Sequence, residues 1–565
     1  MRLGRNPSLW MLAIILILAF IFQSYSASRL KSPTFDEPLL IPAGLSYVQR
    51  GIVRLNLPTP PLLQELAGVS LALGGFRWPN TRDASQMLLG NGGSEWRFGN
   101  SFISNNGADN VLFWSRLPFI FLSALGGLLL YLFGRELVGE VAAVGALFLY
   151  ALDPTIIAHS YLARTDVGLA VFEMLFLWAL WNYVRRPSWA RLFLSGVALG
   201  LALCTKFSSL FLLPIGGLLS LAAVRWPAND SNTSLLDQPS SSDSSGWRRE
   251  IVARACHFAM MCVVAAFVIE LLYLSPRGLS LYHSGMHSVY ADVNPSSLVF
   301  MNGQLEHKFN SYLAVCYLVK EPLAGIVLFG IGLYQLRRAK TLSVLRQIFL
   351  LIPPAVLFGA YTVWSENFGI RYLIPVLPFV YWVAGWGLET LVRNGSSIGR
   401  AAAVLICGWI IVAGVGIYPD HLAYFNEAAC LVQGKPSQIG FDGGTACGPL
   451  WLGDSNVDWG QGLKQLRTWL DKNAQGRPFQ FGYFGSYPPE AYGISYQALN
   501  VPELMRGPKP GLYVISGHLV SFLPALGEKV SPGDGRWLRQ VRPTAVIGHS
   551  LYVYDVPPSS ADISR

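Results

Sequence analysis

The sequence predicts a polytopic α-helical membrane protein that ends in an extracytoplasmic α/β domain, on the strength of its composition, its apolar windows and the placement of its basic residues. Of 565 residues, 52% are hydrophobic, 13% aromatic and only 13% charged, against about a quarter charged in a soluble chain. Apolar windows near the roughly 20 residues that cross a bilayer fall at 8–27, 111–133, 138–157, 166–184, 191–205, 207–224, 251–275, 316–336, 346–363, 371–392 and 399–418. With Arg2 and Arg5 inside, every second connection is basic: Arg135; Arg185, Arg186 and Arg191; Arg225, Arg248 and Arg249; Arg337, Arg338, Lys340 and Arg346; Arg393 and Arg400. Short cytoplasmic loops retain Lys and Arg, so the eleven windows predict a multi-pass protein of the plasma (inner) membrane with a cytoplasmic N-terminus and an external C-terminal region. The formal net charge of +9 is then a topology signal, which argues against nucleic acid as a partner.

The first window has a short apolar core followed by "SYSAS", so a cleaved signal peptide is its competing reading; the later spans keep their orientation either way. Residues 28–110 form the first extracytoplasmic loop, within which "LLQELAGVSLALGGF" is expected to lie in the interface as an amphipathic helix. The Ser/Asp/Asn-rich "PANDSNTSLLDQPSSSDSSG", inside the 225–250 connection, reads as a flexible cytoplasmic linker whose Asn229 and Asn232 sequons face the wrong side for glycosylation. Residues 276–315 make a second external loop. The membrane domain is expected over 1–418 and the external domain over 419–565, where "FQFGYFG", "GLYVIS" and "SLYVYDV" read as strands and a helix follows Gly462. Seven cysteines are too few for a disulfide framework. Cys430 and Cys447 share the external domain, where oxidising conditions permit a bridge without requiring one.

Charges at the cytoplasmic span ends are nearly all basic, whereas the external ends collect a mixture: Asp36 and Glu37, Asp166, Lys206, Lys320 and Glu321, Glu366 and Arg371. A charge at the hydrocarbon boundary is costly unless paired or hydrated, so such a cluster marks a candidate site. Snorkelling accounts for an isolated Lys206 or Lys320, but not for the short side chains of Asp36 and Asp166. Carboxylates beside lysine and arginine suit transfer of a group away from a phosphate. The carboxylate takes the proton of an attacking hydroxyl, and the cations stabilise the anionic leaving group.

The stretch from Asp36 through "AGLSYVQRG" and "LNLPTPPLLQELA", followed in order by "ARTD", "TKFS", "KEPL", "RYLIPVLPF" and "YFNE", resembles bacterial members of the protein O-mannosyltransferase family, in the GT-C superfamily that also holds the lipid A aminoarabinose transferases. "DSNVDWGQGLKQL" in the external domain is likewise similar to a segment of bacterial relatives. The resemblance implies a GT-C fold and a polyprenyl-phosphate-linked sugar as donor. It implies transfer with inversion to a hydroxyl of a protein, lipid or glycan acceptor at the outer membrane face. It assigns Asp36 as general base, Glu37 as its acidic neighbour and Asp166 as a second acid, with Lys206, Lys320 and Arg371 holding the donor phosphate. It also brings a divalent metal ion as a candidate cofactor, but histidines that relatives carry after the carboxylate pair and in "HPPL" are replaced here by "DEPLLIPAG" and by Thr59 before Pro60 and Pro61.

His159 and His421 lack metal-ligand spacing and read as packing residues. "DSNVDWG" has the carboxylate alternation of a calcium loop, yet its glycine is one place late and Gln465 stands where glutamate is needed, so a capped turn is expected instead. The competing class is an ion-coupled or lipid-linked-sugar carrier, which would show inverted repeats and helices broken at mid-membrane. Neither is evident in the sequence, whose ionisable residues collect at one edge.

Overall fold

The computed structural model describes residues 7–89, 93–227, 244–292, 294, 296–338, 342–393 and 396–557. Arg2, Arg5, Lys340, the two sequons and the centre of the predicted linker lie outside the described residues.

Every apolar window forms helix, but not every helix is a full span. Seven are long and apolar enough to cross a bilayer: Pro7–Arg29, Ala108–Leu137, Asp166–Arg185, Phe207–Arg225, Gly246–Leu272, Val344–Trp364 and Ser397–Gly416. Two windows are bent pairs, Glu140–Leu152 with Pro154–Ser160 at 64° and Tyr312–Lys320 with Leu323–Arg338 at 111°. That makes up to nine spans among the described residues by length and composition. The remaining windows give Trp189–Leu203 and Leu377–Arg393, of 15 and 17 residues, which rise about 22 and 26 Å against a hydrocarbon core of about 30 Å. The bends correct the expectation of unbroken helices. Pro154 and Pro322 force the residues before them, Asp153 and Glu321, into extended backbone with ψ of 120° and 142°. Outward faces such as Met11, Ile14, Ile15 and Leu18, or Val404, Leu405 and Val415, are exposed and apolar, as lipid contact requires.

The first predicted loop is largely helical: Glu37–Arg50, Leu62–Leu73, Arg82–Leu89 and Glu95–Asn105. Leu62–Leu73, expected at the interface, instead buries Leu63, Gln64, Ala67, Gly68, Ser70 and Leu71. Its backbone touches that of Glu37–Arg50, because a Cβ on Gly68 would stand 2.1 Å from the Gly44 carbonyl oxygen and one on Gly44 would stand 1.8 Å from the Gln64 oxygen. Gly68→Ala is therefore expected to cost about 1–3 kcal/mol, read as a lowered thermal unfolding temperature.

The 276–315 loop folds as a helix, Gly278–Asp292, and a hairpin pairing Val299–Met301 with Gln304–Glu306. Asn302 and Gly303, at φ 46° and 84°, supply the left-handed turn that a two-residue hairpin needs. In the C-terminal region, five strands run in the order Gln497–Ala498, Phe479–Gly482, Gly511–Ser516, Leu551–Val556, Ala545–Ile547, parallel on one side and antiparallel on the other. The predicted strands and the helix Leu463–Asn473 are all present. Cys430 and Cys447 are bonded, with Cα atoms 5.3 Å apart.

A charged clamp ties this sheet to the membrane helices. Asp420, just after Ser397–Gly416, pairs with Lys31 at the end of the first helix and accepts 2.9 Å contacts from Gln465 and from His549 Nδ1. His549 Nε2 also lies 3.3 Å from Asp442. Burial disfavours the His549 cation, but hydrogen bonds and charge from Asp420 and Asp442 outweigh it and raise its pKa to about 9 from 6.5. A raised pKa stabilises the fold fully below the ordinary value, and that contribution is lost as pH rises through about 9. Alkaline thermal unfolding should therefore separate wild type from His549→Ala. The wild-type advantage, about 1 kcal/mol after screening of a partly exposed ring, should be present near neutrality and disappear above the raised pKa.

Candidate active site

Helix ends on the side of the C-terminal region bring five charges together. Asp36 stands at the N-cap of Glu37–Arg50 but makes no side-chain cap. Its carboxylate lies 3.0 Å from Arg164 and 3.4 Å from Arg371 instead. Asp166 opens the helix Asp166–Arg185, and its Oδ1 accepts from Lys206 Nζ at 2.7 Å. Lys206 Nζ also lies 4.7 Å from the centre of the Tyr372 ring. The two carboxylates and three cations leave one excess positive charge, suited to an anionic group. Asp36, Arg164 and Lys206 keep partial exposure, 19, 16 and 24%, so the cluster is reachable.

The C-terminal region closes the site from above. The Phe35 N–H donates to the Trp459 carbonyl at 2.8 Å, which sets the Trp459 ring 4.5 Å from the Arg371 guanidinium, 5.5 Å from that of Arg164 and 6.2 Å from the His159 ring. The Asn456 side-chain oxygen accepts from the Ile370 N–H at 3.0 Å and fixes the turn that presents Arg371. Asp454–Asn456 is a 3-10 turn, so the calcium-like stretch serves to hold this turn in place. Polar atoms are left without hydrogen-bond partners among the described residues at Asp166 Oδ2, Arg164 Nε, Arg371 Nε and both His159 ring nitrogens. Unpaired buried polar atoms cost about 1–3 kcal/mol each, so this cluster is arranged for a polar ligand.

Two residues expected in the site are used differently. Glu37 is fully buried and saturated: Arg116 grips it in a fork at 2.8 and 2.6 Å, and Thr34 and Ala163 donate N–H groups at 2.8 and 3.2 Å. Arg116 also donates to the carbonyls of Ser28, Lys31 and Ser32. Glu37 thus joins four chain segments beneath Asp36 and has no oxygen left for chemistry. Lys320 is 2% exposed and gives its ammonium to the Leu422 and Asn456 carbonyls at 2.7 and 2.6 Å. It fastens the C-terminal region down and is not free for a phosphate. Asp36, Asp166, Lys206 and Arg371 do converge.

Sequence reasoning missed Arg164, Arg116, Asn456 and Trp459. Arg164 lies in the quoted "ARTD", and Arg116 is an arginine inside an apolar window, a signal in its own right. No group of three or more His, Cys, Asp or Glu side chains among the described residues is placed to share a metal ion, and Asp36 and Asp166 already face arginine and lysine. These residues do not fit a divalent ion.

Fold and site together define a multi-helix membrane protein with an acid and cation cluster at one face. Residues 108–231 match the family model for dolichyl-phosphate-mannose-protein mannosyltransferases. Among solved structures, the chain is similar to ArnT from Cupriavidus metallidurans bound to undecaprenyl phosphate, at 14% identity and TM-score 0.46 over 96% of this chain and 97% of that one. It is similar to the Archaeoglobus fulgidus oligosaccharyltransferase at 13% identity and TM-score 0.43, covering 98% and 76%. It is also similar to the S. cerevisiae protein O-mannosyltransferase Pmt1-Pmt2 complex bound to the sugar donor, at 16% identity and TM-score 0.33, covering 52% and 38%. A search of curated proteins finds no match.

Proposed function

We propose that this protein is a membrane glycosyltransferase that moves a sugar from a polyprenyl-phosphate donor to a hydroxyl acceptor, with inversion, at the extracytoplasmic face. The observation that carries the reading is the convergence of Asp36, Arg164 and Arg371 with Asp166 and Lys206 at helix ends on one side. The stretch 108–231, which matches the mannosyltransferase family model, holds Arg164, Asp166 and Lys206. Sidedness rests on the basic residues: Arg135 packs on Trp10 and Arg185 pairs with Glu136 at the helix ends away from Asp36, where the cytoplasm is expected.

Lys206 and Arg371 hold the donor phosphate, and Asp166 orients Lys206. The acceptor hydroxyl attacks the anomeric carbon from the face opposite the phosphate. The bond from that carbon to the phosphate oxygen breaks, the electron pair stays on the phosphate, and Asp36 takes the hydroxyl proton. Arg371, only 3.4 Å from Asp36 and with Nε unpaired among the described residues, can exchange the carboxylate for phosphate and leave Asp36 free to receive the proton. The acceptor is a protein, lipid or glycan hydroxyl.

Purified protein incubated with a radiolabelled polyprenyl-phosphate sugar and a cell-envelope extract tests the reading. Release of polyprenyl phosphate supports it. Movement of intact lipid-linked sugar across a vesicle, without release, would replace it with a carrier.

A further inference from the structure

The chain that follows the last apolar helix returns to the depth of the membrane. Helix Ser397–Gly416 rises about 24 Å from Arg400 to Gly416, against a hydrocarbon core of about 30 Å. Since an arginine near a helix end reaches back to the headgroups, Gly416 lies at the far edge of the hydrocarbon and not beyond it. Two contacts bring later residues to that level. A Cβ on Gly416 would stand 2.0 Å from the Phe441 carbonyl oxygen. Trp409, about 10 Å further into the bilayer along the same helix, donates its indole N–H to Glu427 Oε1 at 2.7 Å. What this segment turns outward is apolar. Helix Ala428–Val432 buries Ala429 and Cys430 and leaves Leu431 and Val432 53 and 70% exposed, and Phe441 is 82% exposed. Phe441 stands at the tip of a turn closed by hydrogen bonds between Gly440 and Gly443 at 2.9 and 3.1 Å. Asp442 beside it faces back to His549, and the Cys430–Cys447 bond closes the loop. Lys435 is the single charged residue from Ala428 to Phe441.

We propose that residues 428–441 anchor the C-terminal region in the bilayer, with Leu431, Val432 and Phe441 seated at the boundary between phospholipid headgroups and acyl chains. Three observations select lipid as the occupant. The loop touches a span at bilayer depth, so its bare side chains continue a face that is already lipid-exposed through Trp409, Val412 and Val415. A turn held by two backbone hydrogen bonds presents Phe441 outward, and large apolar side chains displayed this way mark an interaction surface. The loop carries one cation and no carboxylate over 428–441, the balance that phospholipid phosphates favour in a segment lying in the interface. Through Asp442 and His549 the anchor also meets the clamp that ties the sheet to the first helix, so lipid contact and clamp fasten the same edge of the C-terminal region.

Photocrosslinking of the purified full chain in phospholipid nanodiscs tests the anchor. The photoreactive residue p-benzoylphenylalanine is placed at Phe441, at Val432 or, as a control, at Lys509. Lys509 is 73% exposed and precedes strand Gly511–Ser516 at the end away from Ser516, whose hydroxyl bonds Asp458 next to the site. All three side chains are exposed, so the replacements leave the core packing intact. Irradiation should give covalent phospholipid adducts at Phe441 and Val432, read by mass spectrometry of the intact protein and its peptides, and the adduct should be lost at Lys509. Absence of lipid adducts at both Phe441 and Val432, or equal yield at all three positions, would overturn the proposal. Crosslinks from Phe441 and Val432 to a second copy of the chain in place of lipid would overturn it too, and would assign this face to a protein interface. None of these results bears on glycosyl transfer, which is measured separately by release of polyprenyl phosphate.

Discussion

Asp36→Asn is expected to lower glycosyl transfer by about 10²- to 10⁴-fold, the usual contribution of a positioned general base, with little change in donor KM or thermal stability. Asparagine matches aspartate in shape, so packing at a position 19% exposed is kept. What is lost is the acceptor for the hydroxyl proton. Arg164 and Arg371 lose a counter-charge, but both are available to the donor phosphate, so binding should hold while turnover falls. Initial rates over a range of donor concentration separate the two quantities. A variant that turns over at the wild-type rate would remove Asp36 from the role of base.

Arg116→Ala should be the most damaging substitution for stability. It strands the fully buried Glu37 carboxylate and removes donors from three backbone carbonyls. Breaking one side of a buried pair costs about 3–5 kcal/mol, a large share of the 5–15 kcal/mol that holds a typical fold. Low yield and a depressed unfolding temperature in detergent are the expected readouts. Arg116→Lys keeps the charge but not the fork and should fall between. The double replacement Glu37→Gln with Arg116→Met should recover part of the loss, because no unpaired charge remains.

The contrast between Asp36 and Glu37 shows where the sequence is readable and where it stops. Adjacent carboxylates suggest a pair acting on one target. At the start of a helix, however, successive side chains diverge by about 100°, so one faces the site and the other the protein. Asp166, Lys206 and Arg371 were legible because alternating basic loops located each span end, and a charge at a span end has few places to go. Lys320 obeyed the same rule but was claimed by the carbonyls of Leu422 and Asn456, partners more than 100 residues away that local pattern does not reveal. The strands of the C-terminal region were clear from their β-branched and aromatic runs. The helix breaks were written as Asp153-Pro154 and Glu321-Pro322, but hydropathy averaged over about 20 residues passes across a single proline.

Inversion follows from a single displacement in which Asp36 receives a proton and the phosphate leaves from the opposite face. The anomeric configuration of the glycoside made by the wild-type protein, read from its proton NMR coupling, measures this most directly. Configuration opposite to that of the donor is the predicted result, and retained configuration would contradict it.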